Sequence, residues 1–184
     1  MHVIAPQAVV VDDDFADADR ILDLGGGGEG VIGQLRGRQV TAIDLRQGEL
    51  DDAPEGPIKV VADARALPFP DASFEAATAF FFLMYVAAED GLRVLRETHR
   101  VLRPGGTMKI WDVAIPLAGR QTLFVVPVKV RLPARTIRTA YGAPWAGREM
   151  TANGIADLAR SAGFMVISTR EEGETFCLLL ARPS

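Results

Sequence analysis

The sequence predicts an α/β fold built on a mainly parallel sheet. Three observations carry that prediction. Ile21-Leu22-Asp23-Leu24 is an apolar run containing one acid, and it meets a glycine block, Gly25 to Gly28, followed by Glu29-Gly30. Short apolar runs recur downstream and close on an acid, at Asp44, Asp63 and Asp112. Stretches with helix-like apolar spacing lie between several of them, the alternation that a parallel sheet with crossover helices requires.

The elements follow in order. Residues 1–20 carry no strong pattern. Val9-Val10-Val11 can make a short strand, and Asp12 to Asp19 is an acidic, solvated lead-in. Ile21 to Leu24 reads as a buried strand. The glycines after it permit positive φ and close approach of a ligand. Val31-Ile32-Gly33-Gln34-Leu35 opens a helix whose free N–H groups face whatever lies over the turn. Such a strand–turn–helix fits dinucleotide, flavin, nucleotide or S-adenosylmethionine sites, and also a plain tight turn. Val40 to Asp44 is a second strand. Asp44 lies 19 residues after Gly25, near the spacing of a carboxylate that grips ribose hydroxyls.

Asp51 to Pro57 reads as a loop, and Ile58 to Ala62 as a third strand ending at Asp63. Pro68 and Pro70 exclude a helix interior or central strand, so Leu67 to Glu75 is a rigid apolar turn. Ala76 to Phe80 is a fourth strand, continued by Phe81-Phe82-Leu83-Met84-Tyr85 into a loop. Ala88 to Leu102 is an amphipathic helix, stopped by Arg103-Pro104-Gly105-Gly106. Thr107 to Trp111 is a fifth strand ending at Asp112. A last helix starts near Thr151-Ala152-Asn153 and stops at Gly163. Phe164 to Thr169 and Thr175 to Ala181 are strands six and seven.

Composition narrows the function. The 184 residues suit one domain and are 48% hydrophobic and 24% charged, a globular balance with enough chain to bury a core. A net charge of −4 argues against nucleic acid as the partner. One cysteine, Cys177, excludes an internal disulfide and reads as a small buried hydrophobe. His2 and His99 make no metal site, and His99 reads as a packed helix residue. No stretch reads as a signal peptide or a spanning helix, so no membrane partner and a cytoplasmic location are expected.

The ordered set ILDLGGGGEG, VTAID, ADARALPFPDASFEAA, VLRPGG and the closing strand pair resembles the class I S-adenosylmethionine-dependent methyltransferases. It is most similar to their type 11 branch, which includes ubiquinone/menaquinone biosynthesis methyltransferases. The resemblance covers roughly residues 20–112 and 151–183. It implies a Rossmann-like, doubly wound seven-stranded sheet, mainly parallel, with the last strand antiparallel. It also implies S-adenosylmethionine as cofactor. Asp23, Gly25 and Gly27 would then shape the pocket for its methionine end. Asp44 would bind the ribose, Asp63 and Ala64 would meet the adenine, and Phe80 and Phe81 would pass the methionine moiety. Two departures stand out. Glu29 occupies the place of the pattern's third glycine, so it is expected to face cofactor or acceptor. Met84-Tyr85 stands where many relatives carry histidines.

Residues 113–150 lie outside this framework and are expected to form a substrate lid or dimer contact. Leu123 to Leu132 is strand-like, and Thr139 to Trp145 reads as an aromatic loop. From Val113 to Arg148 there are six cations, Arg120, Lys129, Arg131, Arg135, Arg138 and Arg148, and no acid. The remainder carries 14 basic and 24 acidic residues. That asymmetry points to an acidic acceptor or to a homodimer. The activity expected is methyl transfer to a small-molecule O, N or C nucleophile. Candidates for a general base are Asp112, Tyr85, Tyr141 and Glu29. The alternative is a cofactor-binding partner or regulatory subunit without transferase activity. A nicotinamide reductase is disfavoured, because the LPFPD stretch has no part in such a site.

Overall fold

The computed structural model describes residues 1–12, 17–117, 123–145 and 149–184. Two sheets share one buried apolar cluster. The larger is assembled from β3 (Ile21–Leu24), β4 (Val40–Asp44), β5 (Ile58–Val61), β6 (Phe74–Phe80), β7 (Leu102–Val113), β10 (Met165–Glu172) and β11 (Thr175–Ala181). Its order is β5-β4-β3-β6-β7-β11-β10. The chain starts in the middle, works to one edge, then returns and builds the other. β3 to β7 run parallel, and β11 pairs antiparallel with both β7 and β10. The expected seven strands and the antiparallel last strand are both present.

Helices α1 (Val31–Arg36), α2 (Gln47–Asp52), α3 (Gly91–Val101) and α4 (Ala152–Ser161) make the crossovers. The expected loop from Asp51 loses its start to α2, a short helix whose polar run hides only Leu50. α3 buries Val94, Leu95, Thr98 and Val101 on one face and ends at Val101, where Leu102 turns extended and opens β7. The hydroxyl of Thr151 accepts from the Gly154 N–H and caps α4, a bond worth about 1 kcal/mol. His99 packs edge-on against Phe164, as a helix residue should. The proline turn of residues 67–73 is held to α3 by Arg100, which donates to the Leu67 and Phe69 carbonyls and to Asp71.

The second sheet is where sequence reasoning fell short. β8 (Leu123–Arg131) and β9 (Thr136–Pro144) form an antiparallel hairpin, with Lys129 opposite Arg138. The aromatic loop expected at Thr139 to Trp145 is therefore mostly strand. Along the other edge of β8 run β1 (His2–Val3) and β2 (Gln7–Val10), both parallel to it. β8 therefore has no bare edge for a second subunit to pair with, because the chain's own first ten residues cover it. Arg120, Arg148 and the centre of the acidic lead-in lie outside the described residues.

Candidate active site

A cavity of about 760 Å³ opens over the carboxyl ends of β3, β4 and β6, with β9 along one side. This is the place where open parallel sheets bind ligands, and the volume is in the range of about 300–1,000 Å³ usual for small-molecule sites. Asp23, Gly25, Gly27, Glu29, Asp44, Asp63, Ala64, Phe80, Phe81, Tyr85 and Tyr141 all line it. Asp112 does not. The sequence places it at a strand end like the other acids. Its carboxylate, fully buried, instead accepts from the N–H groups of Met84 and Val113. It pegs the Leu83–Tyr85 turn to β7 and is unsuited to be a base.

The glycine loop is folded tightly on itself. Gly26 donates to the Ile43 carbonyl and Gly28 to that of Glu49. A Cβ at Gly27 would stand 2.6 Å from the Cβ of Glu49, and one at Gly25, where φ is 68°, 2.5 Å from the Phe82 ring. Contacts that short exclude any side chain, so the loop is compelled to be glycine by its own packing. α1 has six residues, too few for its end to count for much. The N–H groups of Gly27 and Glu29 have no partner among the described residues.

Six carboxylates line this cavity, Asp23, Glu29, Asp44, Glu49, Asp63 and Asp90, and four of them are held in different ways. Asp23 is 2% exposed, and burial pushes its pKa up to about 7, against a hydrogen bond from Thr78 at 2.7 Å that acts the other way. Its second oxygen has no hydrogen-bond partner among the described residues. Asp44 accepts from the Arg46 N–H at 3.0 Å through one oxygen, leaving the other beside Gly27. Asp63 is engaged on both oxygens by Arg65, through its backbone N–H, Nε and Nη2. Those bonds hold the Asp63 carboxyl below its usual range. Arg65 also reaches Asp90 at 2.9 Å, clamping the loop after β5 to the start of α3. Glu29 accepts from the Thr139 hydroxyl on β9.

Aromatic rings form the opposite wall. Tyr141 stacks on Phe81, with centroids 4.8 Å apart and planes at 10°. Phe80 meets Phe81, Trp111 and Tyr141 edge-on or tilted. Such pairs add about 0.5–1.5 kcal/mol each beyond burial. Phe81 has φ 49°, a strained value for a side chain with a Cβ, of the kind found beside functional sites. The Tyr85 hydroxyl accepts from the Gly142 N–H at 3.2 Å. Burial raises the pKa of Tyr85 and, helped by the charge of Glu29, that of Tyr141. Both phenols keep their protons at neutral pH, so neither serves as a base there.

The cations of the basic segment do not join this wall: Lys129, Arg131, Arg135 and Arg138 are absent from the cavity lining, although Ala140, Tyr141 and Gly142 of the same segment belong to it. The residues sequence reasoning missed are Arg65, Asp90 and Thr139. None has a local signal, since each matters through a partner distant in sequence. Among the described residues no cluster could hold a metal ion.

The donor set fits S-adenosylmethionine. A buried carboxylate with an open oxygen suits an ammonium, Asp44 has an oxygen left for hydroxyls, and aromatic faces suit a sulfonium cation. Comparison with known proteins agrees. A family model described as a methyltransferase domain, type 11, matches residues 22–110. The ubiquinone/menaquinone biosynthesis C-methyltransferase of Desulfotalea psychrophila is 35% identical over 168 residues, covering 80% of this chain and 66% of that protein. The 27-O-demethylrifamycin SV methyltransferase of Amycolatopsis mediterranei is 35% identical over 106 residues, 51% of this chain and 38% of that one. The chain thus spans less than two thirds of either relative's length. In fold it superposes on an S-adenosylmethionine-dependent methyltransferase from Methanosarcina mazei with TM-score 0.70, 20% identity, and coverage of 95% and 99% of the two chains. On sequence motifs, strand order and cavity together, the chain belongs to the class I S-adenosylmethionine-dependent methyltransferases, in their type 11 branch.

Proposed function

We propose that the protein transfers the methyl group of S-adenosylmethionine to a nucleophilic atom of a flat, largely apolar small molecule. The observation that carries the acceptor class is the wall of Phe80, Phe81 and Tyr141 facing a cavity lined with carboxylates. The two relatives are named for methylation of quinone precursors and of a rifamycin, and ring systems of that kind suit stacking on such a wall.

The cofactor supplies an electrophilic methyl on a positively charged sulfur. In this reading Asp23 meets the amino group, Asp44 holds the ribose hydroxyls, and Asp63 with Ala64 borders the adenine. Gly25 and Gly27 let the backbone come close. Phe80 and Phe81 face the sulfonium and hold the acceptor in line, which is the main requirement of such a displacement. Glu29 lies beside Tyr141, and it is the remaining candidate to take a proton from the acceptor.

Calorimetry with S-adenosylhomocysteine tests the reading. Asp44→Ala should weaken binding by about 1.5–3 kcal/mol, the worth of charge-assisted bonds, and NAD should not bind. Unchanged affinity in that variant would refute the placement of the ribose. A labelled-methyl screen against cell extract then identifies the acceptor. Tight cofactor binding without any transfer would favour the partner-subunit alternative.

A further inference from the structure

The small sheet has an inner face and an outer face. Phe124, Val126, Val128 and Val130 of β8 are buried against the body. Register places Lys129, Arg131 and Arg138 on the opposite side, with Val3 and Val10 from the N-terminal strands. Val3 is 50% and Val10 55% exposed. The four strands contain no aspartate or glutamate. The side chains of Lys129, Arg131, Arg135 and Arg138 make no ion pair or hydrogen bond with any described residue, although their backbones join the ladder and the turn.

The outer face is also zoned. Its cations gather towards the hairpin turn, whereas Leu123, Val125 and Pro127 occupy the end nearer Gly142 and the cavity. Lys129 lies directly opposite Arg138, and like charges in that position repel. An anionic surface laid against the sheet would relieve that repulsion, and exposed aliphatic side chains beside cations are what a lipid interface accepts. A two-fold contact with a second copy would set the same cations against each other. Single-stranded nucleic acid would want aromatic faces for stacking, and the described residues of this face include none.

We propose that the outer face of the small sheet docks on an anionic lipid bilayer, bringing the cavity beside β9 to an acceptor dissolved there. The second half of that statement rests on the methyl-transfer reading; the docking does not. It revises the expectation, drawn from composition, that no membrane is involved. Among the described residues no helix is long and apolar enough to cross a membrane, and peripheral contact needs none.

The test uses the whole chain and vesicles, without cofactor or acceptor. Co-sedimentation should show binding to phosphatidylcholine vesicles containing phosphatidylglycerol, weak binding to phosphatidylcholine alone, and loss of binding as salt rises. Each cation near such a surface contributes roughly fivefold in affinity. Reversing Arg131, Arg135 and Arg138 to glutamate should therefore lower partitioning at least tenfold, with the melting temperature and S-adenosylhomocysteine affinity unchanged. The Val3→Ser, Val10→Ser pair should weaken binding independently of salt. Equal partitioning of the triple variant, or no preference for anionic vesicles, overturns the proposal. So does a concentration-dependent dimer that the triple variant abolishes, because a second copy would then cover the face. Transfer to a detergent-dispersed acceptor, measured separately, tells failure of docking from failure of the methyl-transfer reading.

Discussion

Asp23 keeps its proton near neutrality because water cannot reach it, and one hydrogen bond from Thr78 does not compensate. Its folded pKa of about 7 lies above the ordinary aspartate value of 3.8. Between those values the folded state binds more protons than the unfolded chain, so this group's contribution to stability falls as pH rises from about 4 to about 7. Asp23→Asn should remove that slope and gain up to about 4 kcal/mol at pH 8, an upper bound from the size of the shift. Melting curves across pH check this; a parallel slope in the variant would refute it. A bound ammonium should restore the carboxylate, so cofactor affinity should weaken below pH 7 in the native protein and stay flat in Asp23→Asn. Glu29 offers a second residue-level expectation. It bonds Thr139 across the cavity, fastening β9 to the glycine loop. Glu29→Gly should speed hydrogen exchange over residues 137–143, and Glu29→Gln should largely preserve it. Equal exchange in all three proteins would mean that the contact holds nothing.

At the level of elements, β8 depends on its neighbours. Its edge from Val128 to Arg131 is paired by β2. Removing residues 1–11 would bare that edge and the apolar surface that the buried Val9 and Val11 cover. Exposed strand edges recruit other chains, so the truncated protein should self-associate on sizing while the native chain does not aggregate. The Asp112 carboxylate ties the Leu83–Tyr85 turn to β7. Asp112→Ala would remove the acceptor of two buried N–H groups, at about 1–3 kcal/mol each. Melting should fall accordingly, and the Tyr85 contact to Gly142 should loosen with it. A melting temperature equal to that of the native protein would show water replacing the carboxylate. These elements also mark the limit of sequence reading. The large sheet was legible chiefly through β3, β4, β5 and β7, which carry apolar runs closing at an acid or a glycine turn. The carboxylates at those ends fall on the cavity for the same geometric reason. Asp112 has the same local signature, yet its neighbours turn it inward, which only packing decides. The hairpin was half legible: β8 has a strand's composition, whereas Tyr141 and Trp145 suggested a loop because glycine and proline flank them.

For the molecule as a whole, the strand pairing has a consequence in time. β2 lies beside β8 although more than a hundred residues separate them, and both run the same way. Closing so long a loop is slow, and parallel pairing of distant segments comes late in folding. Leu22 to Val113, which carries the glycine loop and most of the cavity floor, leaves the ribosome before β8 exists. The emerging chain can therefore build its cofactor cradle first, while its opening ten residues wait without a partner. Only when the hairpin emerges can head and lid join. The last step of maturation, on this account, is the shutting of the site by a segment made more than a hundred residues before β8.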